Sequence, residues 1–227
     1  MTTIRPDRLF EQLHAAYGPQ YWWPAKSPFA MMVGAILVQN TAWAGAARAV
    51  DRLEDAGFLH PAAIRPLEEE TLWDLIRPAG YFRVKAKRLR ALCTFLQGFD
   101  DDLDRLFALE TPRLREALLG VNGVGEETAD SILCYGAKRA IFVADAYTRR
   151  LFHRLHWVEE KAGYGEMQSL VQTRMPGNQA QLGEFHALIV RHGKHHCRAK
   201  PVCRECPVSG CPAMRAPPQG LPEASAQ

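Results

Sequence analysis

The sequence predicts an all-α protein, and three observations carry that prediction. Apolar residues recur at three- and four-residue spacing in one segment after another, giving roughly ten helical patterns by periodicity. No segment keeps the two-residue alternation of a half-buried strand, and no repeat of solenoid length is present. A glycine-bracketed hairpin, Gly120-Val121-Asn122-Gly123-Val124-Gly125, separates two of the helical patterns. Such glycines permit positive φ and leave backbone N–H groups uncovered beside a helix N-terminus, which suits a phosphate. They suit a tight helix–helix connection as well.

The elements follow in order. Leu9, Phe10, Leu13 and Tyr17 define a first helix, opened by Pro6-Asp7 and followed by Gly18. Three aromatics, Tyr21-Trp22-Trp23, and Pro24 precede a loop. Ser27-Pro28 is an N-cap and first-turn pair for a helix carrying Phe29, Met32, Val33, Ile36 and Leu37. After Gln39-Asn40, Thr41 is placed to cap a helix through Trp43, Ala46, Val50 and Leu53. A short helix over Leu67 to Ile76 ends near Pro78 and Gly80. Tyr81-Phe82 then enters a basic amphipathic helix, with Arg83, Lys85, Lys87, Arg88 and Arg90 arranged around Val84, Leu89, Leu92 and Leu96. Thr111-Pro112 caps the helix that delivers the chain to the hairpin, and Glu126 to Tyr135 is the helix beyond it. Ala140 to Ala144 is an extended link. Asp145 heads a helix through Leu155, and two further helices lie around Met167 to Val171 and Leu182 to His192.

A chain of 227 residues suffices for one large domain or two small lobes. A net charge of +3 is only weakly basic, so composition alone does not announce nucleic acid. No apolar stretch reaches membrane-spanning length and Met1-Thr2-Thr3-Ile4-Arg5 is not a signal peptide, so a soluble, cytoplasmic protein without a membrane partner is expected. Four of the six cysteines crowd into Cys197-x5-Cys203-x2-Cys206-x4-Cys211. In a reducing compartment that cluster argues for a metal centre rather than disulfides, and four thiolates suit either tetrahedral zinc or a 4Fe–4S cluster. Lys194, His195, His196, Arg198, Lys200 and Arg204 surround the loop, which could itself face phosphates.

A helix–hairpin–helix with Gly-Val-Gly, an aspartate about one helix later and four cysteines near the C-terminus together resemble the endonuclease III superfamily of DNA repair glycosylases. The resemblance runs from Trp22 to Cys211. It implies two helical lobes, a six-helix lobe over 25–139 with the hairpin, and one from 1–24 plus 140–211 with the cluster loop at 197–211; the composition of 212–227, rich in Pro, Ala and Gly, predicts a disordered tail. It implies a 4Fe–4S cluster in preference to zinc, ligated by Cys197, Cys203, Cys206 and Cys211. The first and last gaps of this loop are each one residue shorter than the family's usual pattern.

Asp145 matches the family's catalytic aspartate. Cleaving a glycosidic bond develops positive charge on the sugar, which a fixed carboxylate stabilises while orienting the attacking water. An N-cap for the helix that follows is the structural alternative, and the two roles can coexist. Members that also cleave the strand carry a lysine two residues after the last hairpin glycine. Here that residue is Glu127, and a carboxylate cannot form an imine.

Trp22-Trp23-Pro24, the run Gln39-Asn40-Thr41-x-Trp43 and the segment Gly125-Glu126-Glu127-Thr128-Ala129-Asp130 resemble the superfamily's 3-methyladenine glycosylase branch. There Trp22, Trp23, Pro24 and Trp43 would line the pocket for a flipped base. An N-alkylated purine is cationic and electron-poor and should stack between indoles, with a cation–π contribution of roughly 1–2 kcal/mol when desolvated. By the same resemblance Gln39 fills the hole left by the extruded base and Tyr81 wedges into the opposite strand, while Gly123, Val124, Gly125 and Thr128 meet the DNA backbone. Tyr81 equally suits a packed loop, and the indoles equally suit a core.

The expectation is thus a monomeric, nucleoid-associated, monofunctional glycosylase, acting on double-stranded DNA with an alkylated purine such as 3-methyladenine. The alternatives are an endonuclease III-type glycosylase and AP lyase on oxidised pyrimidines, or a catalytically impaired relative that binds damage.

Overall fold

The computed structural model describes residues 4–214, so the expected tail lies, from residue 215 on, outside the described residues. Every regular element among the described residues is helical, twelve α-helices with short 3-10 and π turns. The all-α class expected from periodicity is the class observed, with two short helices beyond the patterns read from sequence. The described residues fall into two compact units. One holds the chain through Gln20 with Ala144–Pro176 and the segment from Phe185 on; the other holds Tyr21–Val143 with Gly177–Glu184.

The second unit is organised around α2 (Pro28–Leu37), whose residues from Phe29 to Leu37 are all buried. A helix apolar on every face belongs in the middle of a core. Its start is fixed by the Ser27 hydroxyl, which accepts the Ala30 N–H at 3.1 Å, with Pro28 in the first turn. Around it stand α3 (Trp43–Asp55), α4 (Pro61–Ile64), α5 (Glu69–Ile76), α6 (Phe82–Gln97), α7 (Leu103–Phe107), α8 (Thr111–Leu119) and α9 (Glu126–Ser131). α9 runs straight into a π turn, Ile132–Gly136, all of it buried. α4 and α7 are the elements that periodicity passes over, because four or five residues are too few to show a repeat.

Three local expectations are corrected. Thr41 does not cap α3: Ala42 takes that position, and the Thr41 hydroxyl donates back to the Leu37 carbonyl at 3.2 Å. Glu110, one residue earlier than expected, precedes α8. On α6 the apolar face is rotated, so that Val84 is 50% exposed whereas Lys85 is buried at 1%. The register that buries Leu89, Leu92 and Leu96 also includes position 85, four residues before Leu89.

In the first unit, α1 (Pro6–Tyr17) buries Leu9 and Leu13, and Phe10 meets Phe185 edge-on at 5.9 Å. The Trp157 indole N–H closes this end on the Ile4 carbonyl at 2.8 Å. α10 (Ala146–Arg154), α11 (Tyr164–Arg174) and the part of α12 (Gln179–His195) from Phe185 on complete the unit.

Candidate active site

In the first unit Asp145 heads α10. Its backbone is extended, and its Oδ1 accepts both the Thr148 N–H at 2.7 Å and the Thr148 hydroxyl at 2.9 Å. The other oxygen, Oδ2, lies 3.8 Å from His186 Nε2 on α12, with the two side chains only 10% and 6% exposed. Burial pushes the Asp145 carboxyl up, but His186 and the two Thr148 donors more than offset this and hold it below the ordinary carboxylate value. Asp145 is therefore an ionised carboxylate in a nearly dry position at neutral pH.

The same face of α12 meets α10 two turns further on. A Cβ at Gly193 would stand 2.4 Å from Tyr147, so glycine is required for the approach. Arg150 donates to the Gly193 carbonyl at 3.2 Å and to the Cys197 carbonyl at 2.7 Å.

The four C-terminal cysteines line a single pocket of about 370 Å³, its open mouth included, with Leu151, Arg154, His192, His196 and Val202. None is in a disulfide. Arg154 pins the entry to this loop, donating to Cys197 Sγ at 3.1 Å and to the carbonyls of Arg198 and Ala199 at 2.7 and 2.9 Å. Burial raises the thiols of Cys206 and Cys211, and the neighbouring cysteine sulfurs raise them further. Among the described residues no three His, Cys, Asp or Glu side chains are grouped as for a metal ion. The donor set nevertheless fits an iron–sulfur group: four sulfurs around an apolar-walled pocket, anchored by an arginine that would offset thiolate charge.

In the second unit the hairpin Gly120–Gly125 joins α8 to α9, and Gly123 has φ +87°. The Arg88 side chain lies directly over Gly123, within 2.2 Å of where a Cβ would be. Gln39 Nε2 donates to the Gly123 carbonyl at 3.0 Å and to Thr128 Oγ1 at 2.9 Å, and its Oε1 accepts from Arg88. The residue expected to plug DNA thus has its amide bound to the hairpin. Val124 and Thr128 are buried, whereas Gly125 and Glu127 are exposed. Behind the hairpin Arg115 grips Asp130 through two N–H donors at 2.7 and 3.1 Å.

Trp22, Trp23 and Trp43 touch one another, with ring centroids 5.2 to 5.7 Å apart, and Trp23 continues onto Tyr135 at 5.6 Å. Two planes that sandwich a third stand about 7 Å apart, twice a normal contact. The expected stacking of a base between these indoles therefore does not fit the arrangement; they form a wall, and the indole N–H groups of Trp22 and Trp23 are buried without a hydrogen-bond partner. Pro24 beside them is exposed. Tyr81 is 70% exposed and left-handed at φ +46°. Beneath it the Lys85 ammonium donates to the carbonyls of Leu37 and Ala79 at 2.8 and 2.7 Å and to the Thr41 hydroxyl at 3.0 Å. Burial, with the Arg88 charge, lowers Lys85 to about 8, so it remains largely protonated at neutral pH.

Sequence reasoning passes over His186 as a site residue, and it reads Lys85 and Arg88 only as members of the basic run Arg83 to Arg90 that would lie along the DNA backbone. Lys85 was detectable from its register with Leu89 and Leu92. His186 is the polar interruption of the run Phe185-His186-Ala187-Leu188-Ile189-Val190.

Residues 33–176 match the family described as HhH-GPD superfamily base excision DNA repair protein. "Putative DNA repair glycosylase MJ1434" of Methanocaldococcus jannaschii is 41% identical over 203 residues, 88% of this chain and 92% of that one. The endonuclease III of Sulfolobus acidocaldarius is 28% identical over 183 residues, covering 80% of this chain and 79% of its own. Among solved structures, the 3-methyladenine DNA glycosylase of H. pylori bound to 1,N6-ethenoadenine superposes with a TM-score of 0.73 at 27% identity, over 84% of this chain and 98% of that one. The chain belongs to the HhH-GPD superfamily of base excision DNA repair proteins. Its class is that of a DNA glycosylase of the endonuclease III/HhH-GPD superfamily, and among the described residues no helix is long and apolar enough to cross a membrane.

Proposed function

We propose that this glycosylase is monofunctional and hydrolyses the N-glycosidic bond of a flipped, alkylated purine in double-stranded DNA, with Asp145 as its catalytic carboxylate. The observation that carries the reading is the state of Asp145. One oxygen is held by the helix cap, the carboxylate is ionised despite burial, and Oδ2 lies 3.8 Å from His186 Nε2. A cationic base such as 3-methyladenine leaves as a neutral molecule when the C1′–N bond breaks and takes its electron pair, so no protein acid is required. The Asp145 charge stabilises the resulting oxocarbenium ion, and water adds at C1′ while giving its proton to the carboxylate or to solvent. A buried carboxylate is worth more here than one in water.

Glu127 supports the hydrolytic outcome, because it occupies the position where a lyase would present an amine. The base would stack on the outer face of the Trp22–Trp23–Trp43 wall, beside Pro24. Gln39 and Tyr81 would meet the opened duplex, and Gly123 to Gly125 with Thr128 would meet the backbone. The enzyme would act as a monomer. Cys197, Cys203, Cys206 and Cys211 would hold a 4Fe–4S cluster, whose ligation would add binding free energy to the folding of this loop. The similarity to the H. pylori enzyme favours alkylated adenine as the lesion class.

Asp145→Asn tests the assignment. Asparagine caps a helix as well as aspartate, so the fold and DNA binding should persist while base release is lost. Release of 3-methyladenine at an undiminished rate would refute it. The second reading, a glycosylase and AP lyase acting on oxidised pyrimidines, predicts a covalent adduct when borohydride is added with an abasic duplex; the hydrolytic reading predicts none.

A further inference from the structure

We propose that His186 is a positioning residue for Asp145: from α12 it fixes the second carboxylate oxygen, Oδ2. The inference rests on Asp145 being the catalytic carboxylate and adds a partner to it.

Three features of the geometry point this way. The two oxygens of Asp145 are not equivalent: Oδ1 receives both Thr148 donors, which leaves Oδ2 to face the chemistry. Oδ2 stands 3.8 Å from His186 Nε2, near enough for a strong interaction in a nearly dry setting. Finally, the histidine is held by packing that does not depend on Asp145. His186 and Gly193 are seven residues, two turns, apart on one face of α12, and Gly193 is pressed onto Tyr147 two residues after Asp145. The seam between α10 and α12 thus places the imidazole at the head of α10.

A buried carboxylate without such a partner would bind a proton more readily and stop supporting the cationic sugar. Two residues act on Asp145, Thr148 from its own helix and His186 from α12. The direction of the effect follows. Removing His186 removes a lowering influence, the folded-state value of Asp145 rises, and the acid limb of base release moves to higher pH.

The test is single-turnover release of 3-methyladenine by wild type, His186→Gln and Asp145→Asn from below the ordinary carboxylate range up to neutral pH, with duplex affinity measured alongside. The expected result for H186Q is an acid limb displaced to higher pH, hence release several-fold slower on the acid side, recovering as pH rises, with affinity little changed. A uniform loss at every pH would mean a merely structural histidine and would overturn the inference, as would a profile superimposable on wild type. D145N separates the two readings. If it still releases base, the catalytic role of Asp145 fails; if it is inactive while the H186Q profile is unmoved, only the role of His186 fails. Should H186Q not fold, the carboxyl and imidazole NMR resonances of the wild-type protein decide. Protonation of the Asp145 carboxyl below the ordinary carboxylate range is expected, and protonation within or above that range overturns the pairing.

Discussion

The ammonium of Lys85 sits 2.8 Å from the carbonyl oxygen of Leu37, at the C-terminal end of the helix that forms the middle of the core. A cation there meets the negative end of the helix and satisfies a carbonyl left over by its last turn. Its other two bonds reach Ala79, just before Gly80-Tyr81, and Thr41, just after Gln39-Asn40. One buried charge therefore ties together the two loops assigned to DNA contact.

Lys85→Met keeps the length of the side chain and removes all three donors. The Ala79 carbonyl then loses the Lys85 donor and the Leu37 carbonyl keeps only the Thr41 hydroxyl, so the unfolding free energy should fall by about 2 kcal/mol, read from the shift of a urea transition at unchanged slope. Affinity for undamaged duplex should fall as well, because Gln39 and Tyr81 lose their common anchor. A variant with wild-type stability and affinity would show that the clasp is idle.

Gly123→Ala should be poorly tolerated for two independent reasons. The left-handed backbone at φ +87° is strained for alanine by roughly 1–2 kcal/mol, and the new Cβ would displace Arg88, which in turn holds Gln39. Thermal denaturation reads the first effect. Comparison with Arg88→Ala in a duplex-binding assay reads the second, since both variants release Gln39 and should lose similar affinity.

Much of this arrangement could be read before the fold was seen. Ser27-Pro28 announces the start of α2, and its apolar run announces a central helix. The hairpin glycines and the polar Asp145 in an apolar stretch are visible as departures from their surroundings. Lys85 was hidden because a lysine among Arg83, Lys87 and Arg88 looks solvated, and only the three oxygens gathered from distant segments make its burial tolerable. Thr41 was misassigned for a related reason: it resembles a cap, but a local bond to Leu37 and the long-range bond from Lys85 claim its hydroxyl. That three indoles would close onto one another is a matter of tertiary packing, which no spacing encodes.

Arg154 gives a test of the cysteine loop that does not depend on catalysis. Its guanidinium holds Cys197 Sγ and two loop carbonyls, so Arg154→Met should loosen Cys197 while leaving all four thiols in place. The expected outcome is lower iron content and weaker broad visible absorbance per protein, with helicity preserved. Wild type that purifies colourless and carries zinc would refute the iron assignment itself.

Glu127→Lys asks whether one side chain separates the hydrolytic outcome from strand cleavage. Glu127 is exposed, in the first turn of α9, so a lysine there should fold without cost to the core. The loss of one carboxylate near a helix N-terminus costs only about 0.5 kcal/mol. An amine at this position can attack C1′ and form an imine that borohydride reduces to a stable adduct. Wild type should give no adduct on a lesion-containing or abasic duplex, and the E127K variant should give one that comigrates with a protein–DNA conjugate. The double variant with Asp145→Asn should trap less on the lesion duplex, because release of the base still needs the carboxylate. If wild type already traps efficiently, another amine performs the attack and the hydrolytic reading falls. If E127K never traps although it binds the duplex, position 127 does not present its side chain to the sugar, and the resemblance that assigned it there does not hold at this residue.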